Sequence, residues 1–281
     1  MAAILALVSS AMWGVSDFLG GAASRRTHPL RVAMLSVPIG IIPLVVLSLV
    51  IPARVSPPLI WVGLSAGLAG VAAILLLYVV LAAGPMGVMS PLTAVVAAVV
   101  PVGVGLVLGE RPRPLAYLGM ALAVVAIILV SVEPRRDDDS EHQRVRPKIL
   151  AYAVGCGLLI GAYMSIIGTA PADSGIYPVL FSRSVSAAVV VVLAFARFRG
   201  GAFDRSILVT SIWIGVLDAS ANALFRLSTQ SGLLAVVAVL ASLYPAGTVI
   251  LARFYLHERL RLAQQVGMVT ALAAAALLAL A

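Results

Sequence analysis

Apolar runs long enough to cross a lipid bilayer fill almost the whole chain. A membrane-spanning helix needs about 20 mostly apolar residues, and the sequence contains ten such runs. Hydrophobic residues make up 62% of the 281 residues and charged residues 11%, whereas typical soluble domains contain about 45–50% and about 25%. The sequence therefore predicts an all-α integral membrane protein. The ten runs lie at 2–22, 29–51, 57–81, 86–107, 113–132, 148–169, 176–197, 205–227, 231–252 and 261–281.

The positive charge of the chain, +8 at pH 7, lies mostly in short loops between these runs. Arginine and lysine in such loops set the orientation of a membrane protein, so no nucleic-acid partner is predicted. Cys156 is the only cysteine, which leaves no intrachain disulfide and no cysteine metal site. No HExxH, CxxC, GxSxG, Walker or GxGxxG pattern appears in the structural context that its chemistry requires. The sequence therefore predicts no cofactor, no metal site and no enzymatic activity.

A polar stretch from Glu133 to Lys148 divides the chain nearly in half. Its composition is typical of a solvated linker between two packed parts. We therefore predict three parts: a first half at 1–132, a linker at 133–147 and a second half at 148–281. Each half contains five of the apolar runs.

The two halves resemble each other at a constant shift of 148 residues. This shift aligns LGERPR (108–113) with LHERLR (256–261), and Gly84 with Gly232. Because five is an odd number of crossings, the second half must be inverted relative to the first. The sequence thus predicts ten transmembrane helices as two inverted five-helix repeats. That architecture recurs among secondary transporters, which bind substrate near the membrane midplane between the repeats.

Loops on one side of the predicted membrane carry fourteen arginine and lysine residues, and loops on the other side carry three. The more positive side is cytoplasmic by the positive-inside rule. We therefore predict a multi-pass protein of the inner (plasma) membrane, with the linker at 133–148 in the cytoplasm and both termini outside. The outer three are Arg54, Arg111 and Arg113, and the inner fourteen are Arg25, Arg26, Arg31, Arg135, Arg136, Arg144, Arg146, Lys148, Arg197, Arg199, Arg205, Arg253, Arg259 and Arg261.

Three polar residues, Asp218, Asn222 and Arg226, recur every four positions inside one apolar run. This spacing predicts that they share one helix face, and charge at membrane depth rarely faces lipid. One interpretation is a substrate or coupling-ion site, with Asp218 and Asn222 facing a cavity and Arg226 holding Asp218 in place. The alternative is a purely structural ion pair between Asp218 and Arg226.

Asp17 is a second carboxylate inside an apolar run. Apolar surroundings disfavour the charged form of a carboxyl group, so Asp17 is a candidate for taking up and releasing a proton during transport. Coupling to another gradient is left open. The structural alternatives are an ion pair with Arg183 or Arg25, or a position near the membrane interface.

Aromatic and proline residues complete the candidate set. Trp13, Tyr78, Tyr163 and Tyr244 are predicted to line a cavity for an apolar or aromatic substrate, although packing or a position at the membrane interface is the alternative for each. Proline opens the hydrogen-bond ladder of a helix, so Pro91 and Pro245 are predicted hinges, with a static kink as the alternative. Glu110 and Glu258 are interpreted as structural acids at helix N-termini.

The arrangement of these motifs resembles the EamA-like branch of the drug/metabolite transporter (DMT) superfamily. The resemblance rests on two five-helix halves with L-x-E-R before each last helix, on Trp13-Gly14, on the stretch from Pro178 to Arg183 and on Tyr244-Pro245. It departs at Ala97, where the repeat would place the partner of Pro245. The resemblance implies a central cavity lined by helices 1, 3, 4, 6, 8 and 9. It also implies that both termini lie inside, whereas the charge bias predicts that they lie outside. We follow the charge bias.

The predicted function is secondary transport of a small organic metabolite by alternating access. Export of an amino acid or a drug-like compound is the expectation that the resemblance carries. A channel or a lipid-flipping protein is the alternative, and an intramembrane enzyme is a more distant one. The partners predicted are a small-molecule substrate and the lipid bilayer, with a homodimer left open.

Overall fold

The computed structural model describes residues 1–84, 86–130, 147–198, 204–256 and 262–280, and these residues are mostly helical. A single 3₁₀ turn, Ala172–Ser174, joins the seventh and eighth helices. The α-helices are α1 (Ala2–Ser24), α2 (Pro29–Ile39), α3 (Ile41–Val50), α4 (Pro58–Ala83), α5 (Met86–Val107), α6 (Pro114–Val130), α7 (Pro147–Gly168), α8 (Tyr177–Arg197), α9 (Arg205–Thr229), α10 (Leu234–Ala241), α11 (Pro245–Leu256) and α12 (Leu262–Leu280).

Among the described residues, eight helical segments are long and apolar enough to cross a membrane. Two of the eight combine consecutive helices, α2 with α3 and α10 with α11. Shorter apolar stretches, Pro114–Leu129 and Gln265–Leu278, lie in α6 and α12. The prediction of an all-α, multi-pass membrane protein is confirmed, whereas the number of ten crossings stays a prediction.

Two of the predicted runs are interrupted helices. The first breaks at Gly40, and Pro43 lies in the first turn of the following helix, where a missing N–H disturbs no ladder bond. The second breaks at Ser242–Tyr244. Pro245 begins α11 and has no N–H to offer the Ala241 carbonyl, so the ladder stops there.

Helices of the first half pack mainly on helices of the second half. The largest contacts join α1 to α9, α4 to both α7 and α8, α5 to α7, and α6 to α12. Several of these contacts have a counterpart when the halves are exchanged, since α1 on α9 corresponds to α7 on α4. This agrees with an internal repeat, and the inverted orientation of the second half stays a prediction.

Small residues allow this close packing. Ser9 Oγ donates to the Ala221 carbonyl oxygen at 2.7 Å, which ties α1 to α9. Ser186 Oγ donates to the Gly67 carbonyl oxygen at 2.8 Å, which ties α8 to α4. Helices in lipid associate through small side chains and such interhelical hydrogen bonds, so the interface between the halves is the core of the molecule.

Glu110 connects the two halves at the start of α10. Its carboxylate accepts hydrogen bonds from the backbone N–H groups of Leu234 and Ala235, at 2.6 and 2.9 Å. These are orphan donors of the first helical turn, where a negative charge also meets the positive end of the helix dipole. The structural role predicted for Glu110 is confirmed, although the helix that it caps is α10 of the other half. Glu258 and most of the predicted linker lie outside the described residues.

Candidate functional site

A cavity lies between the two halves. It encloses about 810 Å³ of empty space, counting the space that is open to solvent. Both halves contribute to its wall, which is mainly apolar with a few polar groups. Its lining residues are Trp13, Asp17, Val37, Gly70, Ala73, Ile74, Leu77, Ile160, Tyr163, Met164, Ser182, Arg183, Ser186, Asp218, Asn222, Ala241, Ser242 and Tyr244.

The lining differs in part from the set of helices that the resemblance implied. The first, third, sixth, eighth and ninth predicted runs, which correspond to α1, α4, α7, α9 and α10 with the break that follows it, contribute as expected. The α2 and α8 helices, which belong to the second and seventh predicted runs, also line the cavity, although the resemblance did not imply them. The fourth run, α5, contributes no lining residue within its described positions. It lies one layer farther out, since Thr93 of α5 contacts the Tyr244 hydroxyl at 3.1 Å.

Asp218 forms an ion pair with Arg183 of α8. Both side chains are largely buried, with 14% and 9% of their surface exposed. Asn222 Nδ2 also donates to Asp218, at 2.7 Å to the backbone carbonyl oxygen and at 3.3 Å to Oδ1. The predicted pair of Asp218 with Arg226 is therefore wrong, and so is the idea that Arg226 holds Asp218 in place. Arg183 is a cavity-lining residue that spacing along α9 could not reveal as the partner of Asp218.

Arg226 is buried at the end of α9, away from the cavity wall. Eight residues advance a helix by about 12 Å and rotate it by about 80°, so Arg226 cannot share the environment of Asp218. Its guanidinium donates to the backbone carbonyl oxygens of Gly175, Ile167, Ala170 and Pro171, and to Ser174 Oγ. Arg226 thus ties α9 to the connection between α7 and α8 and satisfies carbonyls at the end of α7.

Asp17 lines the cavity and is 8% exposed. It forms no hydrogen bond or ion pair with any other residue that the structure describes. Neither predicted partner is available, because Arg183 binds Asp218 and Arg25 donates to the Gly84 carbonyl oxygen at 3.1 Å. Asp17 and Asp218 line the same cavity. The cavity therefore contains one carboxylate that is paired and one that is not.

Three of the four predicted aromatic residues line the cavity. The Trp13 ring lies 5.7 Å from that of Phe225, measured between centroids. Tyr163 lies against Gly70, the position that the 148-residue shift aligns with Asp218, and a Cβ atom there would be 3.2 Å from the ring. Tyr78 is not in the wall: it is fully buried and packs against Gly20. This position agrees with the packing alternative, and a role of Tyr78 in binding substrate stays a prediction.

The break between α10 and α11 brings backbone and small polar groups to the cavity. Ser242 lies in the break and lines the wall, and its Oγ has no hydrogen-bond partner among the described residues. Gly14 of α1 faces the same break, because a Cβ atom there would lie only 2.6 Å from the Tyr244 carbonyl oxygen. The Trp13-Gly14 pair thus has a physical reason: α1 packs against the break backbone to backbone.

The two prolines occupy different settings. Pro245 is the first residue of α11, directly after the break. Pro91 lies inside α5, which continues through it from Met86 to Val107. The hinge role of either residue stays a prediction.

No group of three or more histidine, cysteine, aspartate or glutamate side chains is close enough to hold a metal ion in the described part of the chain. What the site offers is charge, ring faces and a few hydrogen-bonding groups inside an apolar wall. Such a wall with few convergent polar groups is typical of small-molecule sites.

The fold and the cavity define a class of protein, namely a polytopic membrane protein with a cavity between two similar halves. The chain belongs to the EamA-like transporter family, whose sequence model matches residues 1–132 and 147–280. The resemblance drawn from its motifs is thereby confirmed, and members of this family are transporters.

Comparison with solved structures supports the fold. A crystal structure titled only "Crystal structure of protein" aligns with a TM-score of 0.75 and 16% sequence identity, over 99% of this chain and 96% of that chain. This likeness concerns the fold alone. None of the curated proteins compared with the chain matches it.

Proposed function

We propose that the protein is a secondary transporter that carries a small organic metabolite across the inner membrane by alternating access. The observation that carries the proposal is the cavity between the halves, where a buried ion pair, an unpaired carboxylate and three aromatic rings meet. Polar groups at membrane depth are costly and mark substrate or ion pathways. Family membership supports transport as the activity.

Five of the predicted site residues are proposed to contact substrate directly: Trp13, Asp17, Tyr163, Asn222 and Tyr244. Asp218 is proposed to act together with Arg183. Arg226 and Tyr78 lie outside the wall and are assigned to the support of the fold. Export as the direction, an amino acid or drug-like compound as the cargo, and a homodimer remain predictions.

The test is counterflow in proteoliposomes. Compounds from a metabolite panel are first ranked by thermal shift of the purified protein, since a ligand stabilises by RT ln(1 + [L]/Kd). Vesicles preloaded with an unlabelled hit should then accumulate the labelled compound transiently above the external concentration. A channel gives no such overshoot, and a lipid-flipping protein moves labelled lipid instead. Saturable counterflow is the expected result, and its absence for every stabilising compound would reject a carrier.

A matched pair of variants on α4 makes the site assignment testable. Ile74 lines the cavity, whereas Leu68 lies on the same helix and is 49% exposed toward lipid. Ile74→Trp should fill the cavity and abolish counterflow. Leu68→Trp adds the same bulk outside the cavity and should leave counterflow unchanged. Equal activity of the two variants would place the pathway elsewhere.

A further inference from the structure

The acidic and basic groups of the cavity do not match in number. Its wall contains two carboxylates, Asp17 and Asp218, and one guanidinium, Arg183. Arg183 is committed to Asp218, so Asp17 has no cationic partner for its charged form. A buried carboxyl group without a partner either stays protonated or is joined by an opposite charge nearby.

No residue within the described ranges supplies that opposite charge. Arg25 is held by the Gly84 carbonyl oxygen, and Arg226 is held by the connection between α7 and α8. Neither lines the cavity. The cavity is partly open to the surroundings of the protein, so a ligand can enter and supply the opposite charge.

The rest of the wall suits an organic cation. The rings of Trp13, Tyr163 and Tyr244 line it together with aliphatic side chains. Aromatic ring faces attract cations, and tryptophan does so most strongly. The Tyr244 hydroxyl is engaged by Thr93, so this residue offers its ring more than its polar end. An ammonium group beside Asp17 with an apolar body among the rings would satisfy both features.

We propose that the substrate class is a monovalent organic amine with an apolar or aromatic body, bound through Asp17. The proposal rests on the transport function above and sharpens its cargo. An amino acid carries a carboxylate as well, and that group would have to displace Asp218 from Arg183. An organic anion would meet the unpaired Asp17 with no free cation to bind. The cavity should therefore rank an amine above its amino acid, and the amino acid above the acid.

Three probes with one common body test this ranking: phenethylamine, phenylalanine and phenylacetate. They carry one positive charge, no net charge and one negative charge. The chain contains three tryptophans, of which Trp61 and Trp213 are 72% and 58% exposed on the outer surface. Trp61→Phe and Trp213→Phe together leave Trp13 as the only tryptophan. Its fluorescence then reports ligand in the cavity, and the thermal shift of the same protein is the second readout.

Phenethylamine should bind at least about tenfold more tightly than phenylalanine. The attraction between two opposite charges in a site of intermediate dielectric is larger than the binding free energy that a tenfold difference in affinity requires. Phenylacetate should bind most weakly. Asp17→Asn should weaken phenethylamine binding by about tenfold or more and remove the ranking. Asp204→Asn is the matched control, since Asp204 caps α9 outside the cavity and asparagine caps equally well. It should leave all three affinities unchanged.

A second variant tests the same charge balance from the opposite direction. Asp218→Asn frees Arg183 for a ligand carboxylate and should raise the affinity for phenylalanine relative to phenethylamine.

The proposal is overturned if phenylalanine or phenylacetate binds the original cavity as tightly as phenethylamine, if phenethylamine gives no signal in either readout, or if Asp17→Asn keeps the ranking. Counterflow by a zwitterion or an anion would overturn the substrate class and leave transport standing. The predicted ranking without counterflow by any panel compound would reject transport and leave the binding class standing.

Discussion

The buried charges of this protein occupy three different environments. Arg183 and Asp218 form a pair, Arg226 binds backbone carbonyls, and Asp17 has no partner among the described residues. In a medium of low dielectric, each arrangement has a different consequence. A pair and a carbonyl cluster hold the fold together, whereas a lone carboxylate is available for chemistry with a ligand or a proton.

The Arg183–Asp218 pair is expected to dominate local stability. Removing one partner of a buried pair leaves an uncompensated charge and costs about 3–5 kcal/mol. Arg183→Ala and Asp218→Ala should each lower the unfolding temperature sharply, and the double variant should recover much of the loss. Arg197→Ala, at the exposed end of the same helix, is the control and should have little effect. Additive losses in the double variant would show that the two residues act independently.

Asp17 is expected to couple transport to protons. A carboxylate without a partner can change its charge without breaking an ion pair, which suits a group that alternates between protonated and charged states. In proteoliposomes, Asp17→Asn should abolish uptake driven by a pH gradient. Exchange of substrate should stay measurable at concentrations raised to match its weaker binding. Unchanged pH-driven uptake in Asp17→Asn would remove this residue from the coupling mechanism.

At the scale of helices, the important features are interruptions and caps. The break between α10 and α11 places Ser242 in the wall of the cavity and lets α1 approach through Gly14. The α10 helix has only eight residues, and helices of this length have little stability of their own. Its first turn therefore depends on packing and on the carboxylate of Glu110.

Glu110→Ala should loosen the start of α10. The two N–H groups that now bind the carboxylate would lose a charge-assisted partner, which typically costs about 1.5–3 kcal/mol per hydrogen bond in a buried setting. Because Glu110 is partly exposed, the loss should fall at or below the lower end. The amides of Leu234 and Ala235 should exchange hydrogen faster in Glu110→Ala, with Glu110→Gln intermediate. Unaltered exchange at these two amides would exclude the capping role.

At the scale of the whole molecule, orientation in the membrane is the main open prediction. The bias of fourteen positive residues to three predicts that the linker at 133–148 lies in the cytoplasm. In a variant with Cys156→Ala, a cysteine at Ser140 should resist an impermeant thiol reagent in intact cells. A cysteine at Val55, on the opposite side by the same charge count, should be labelled. Labelling of the linker from outside would reverse the orientation.

Local patterns in the sequence predicted the helices well and the contacts between them only in part. Apolar runs carry the information for crossing a bilayer, so the membrane class and the family follow from the sequence alone. The breaks at Gly40 and at Ser242–Tyr244 interrupt runs that remain apolar throughout, and hydropathy cannot detect them. The partner of Asp218 lies 35 residues away on another helix, whereas spacing rules compare positions on one helix.

The contact pattern between the halves also governs how the protein is made. The first half is synthesised first, yet the helices that α1, α4, α5 and α6 pack against belong mainly to the second half. At typical rates of translation, the missing partners arrive roughly ten to thirty seconds later. During that interval the first half, with Asp17, lacks both Arg183 and Asp218. Lipid then contacts the helix faces that the second half later covers. Membrane quality control therefore encounters the first half before the second half has covered its packing surface.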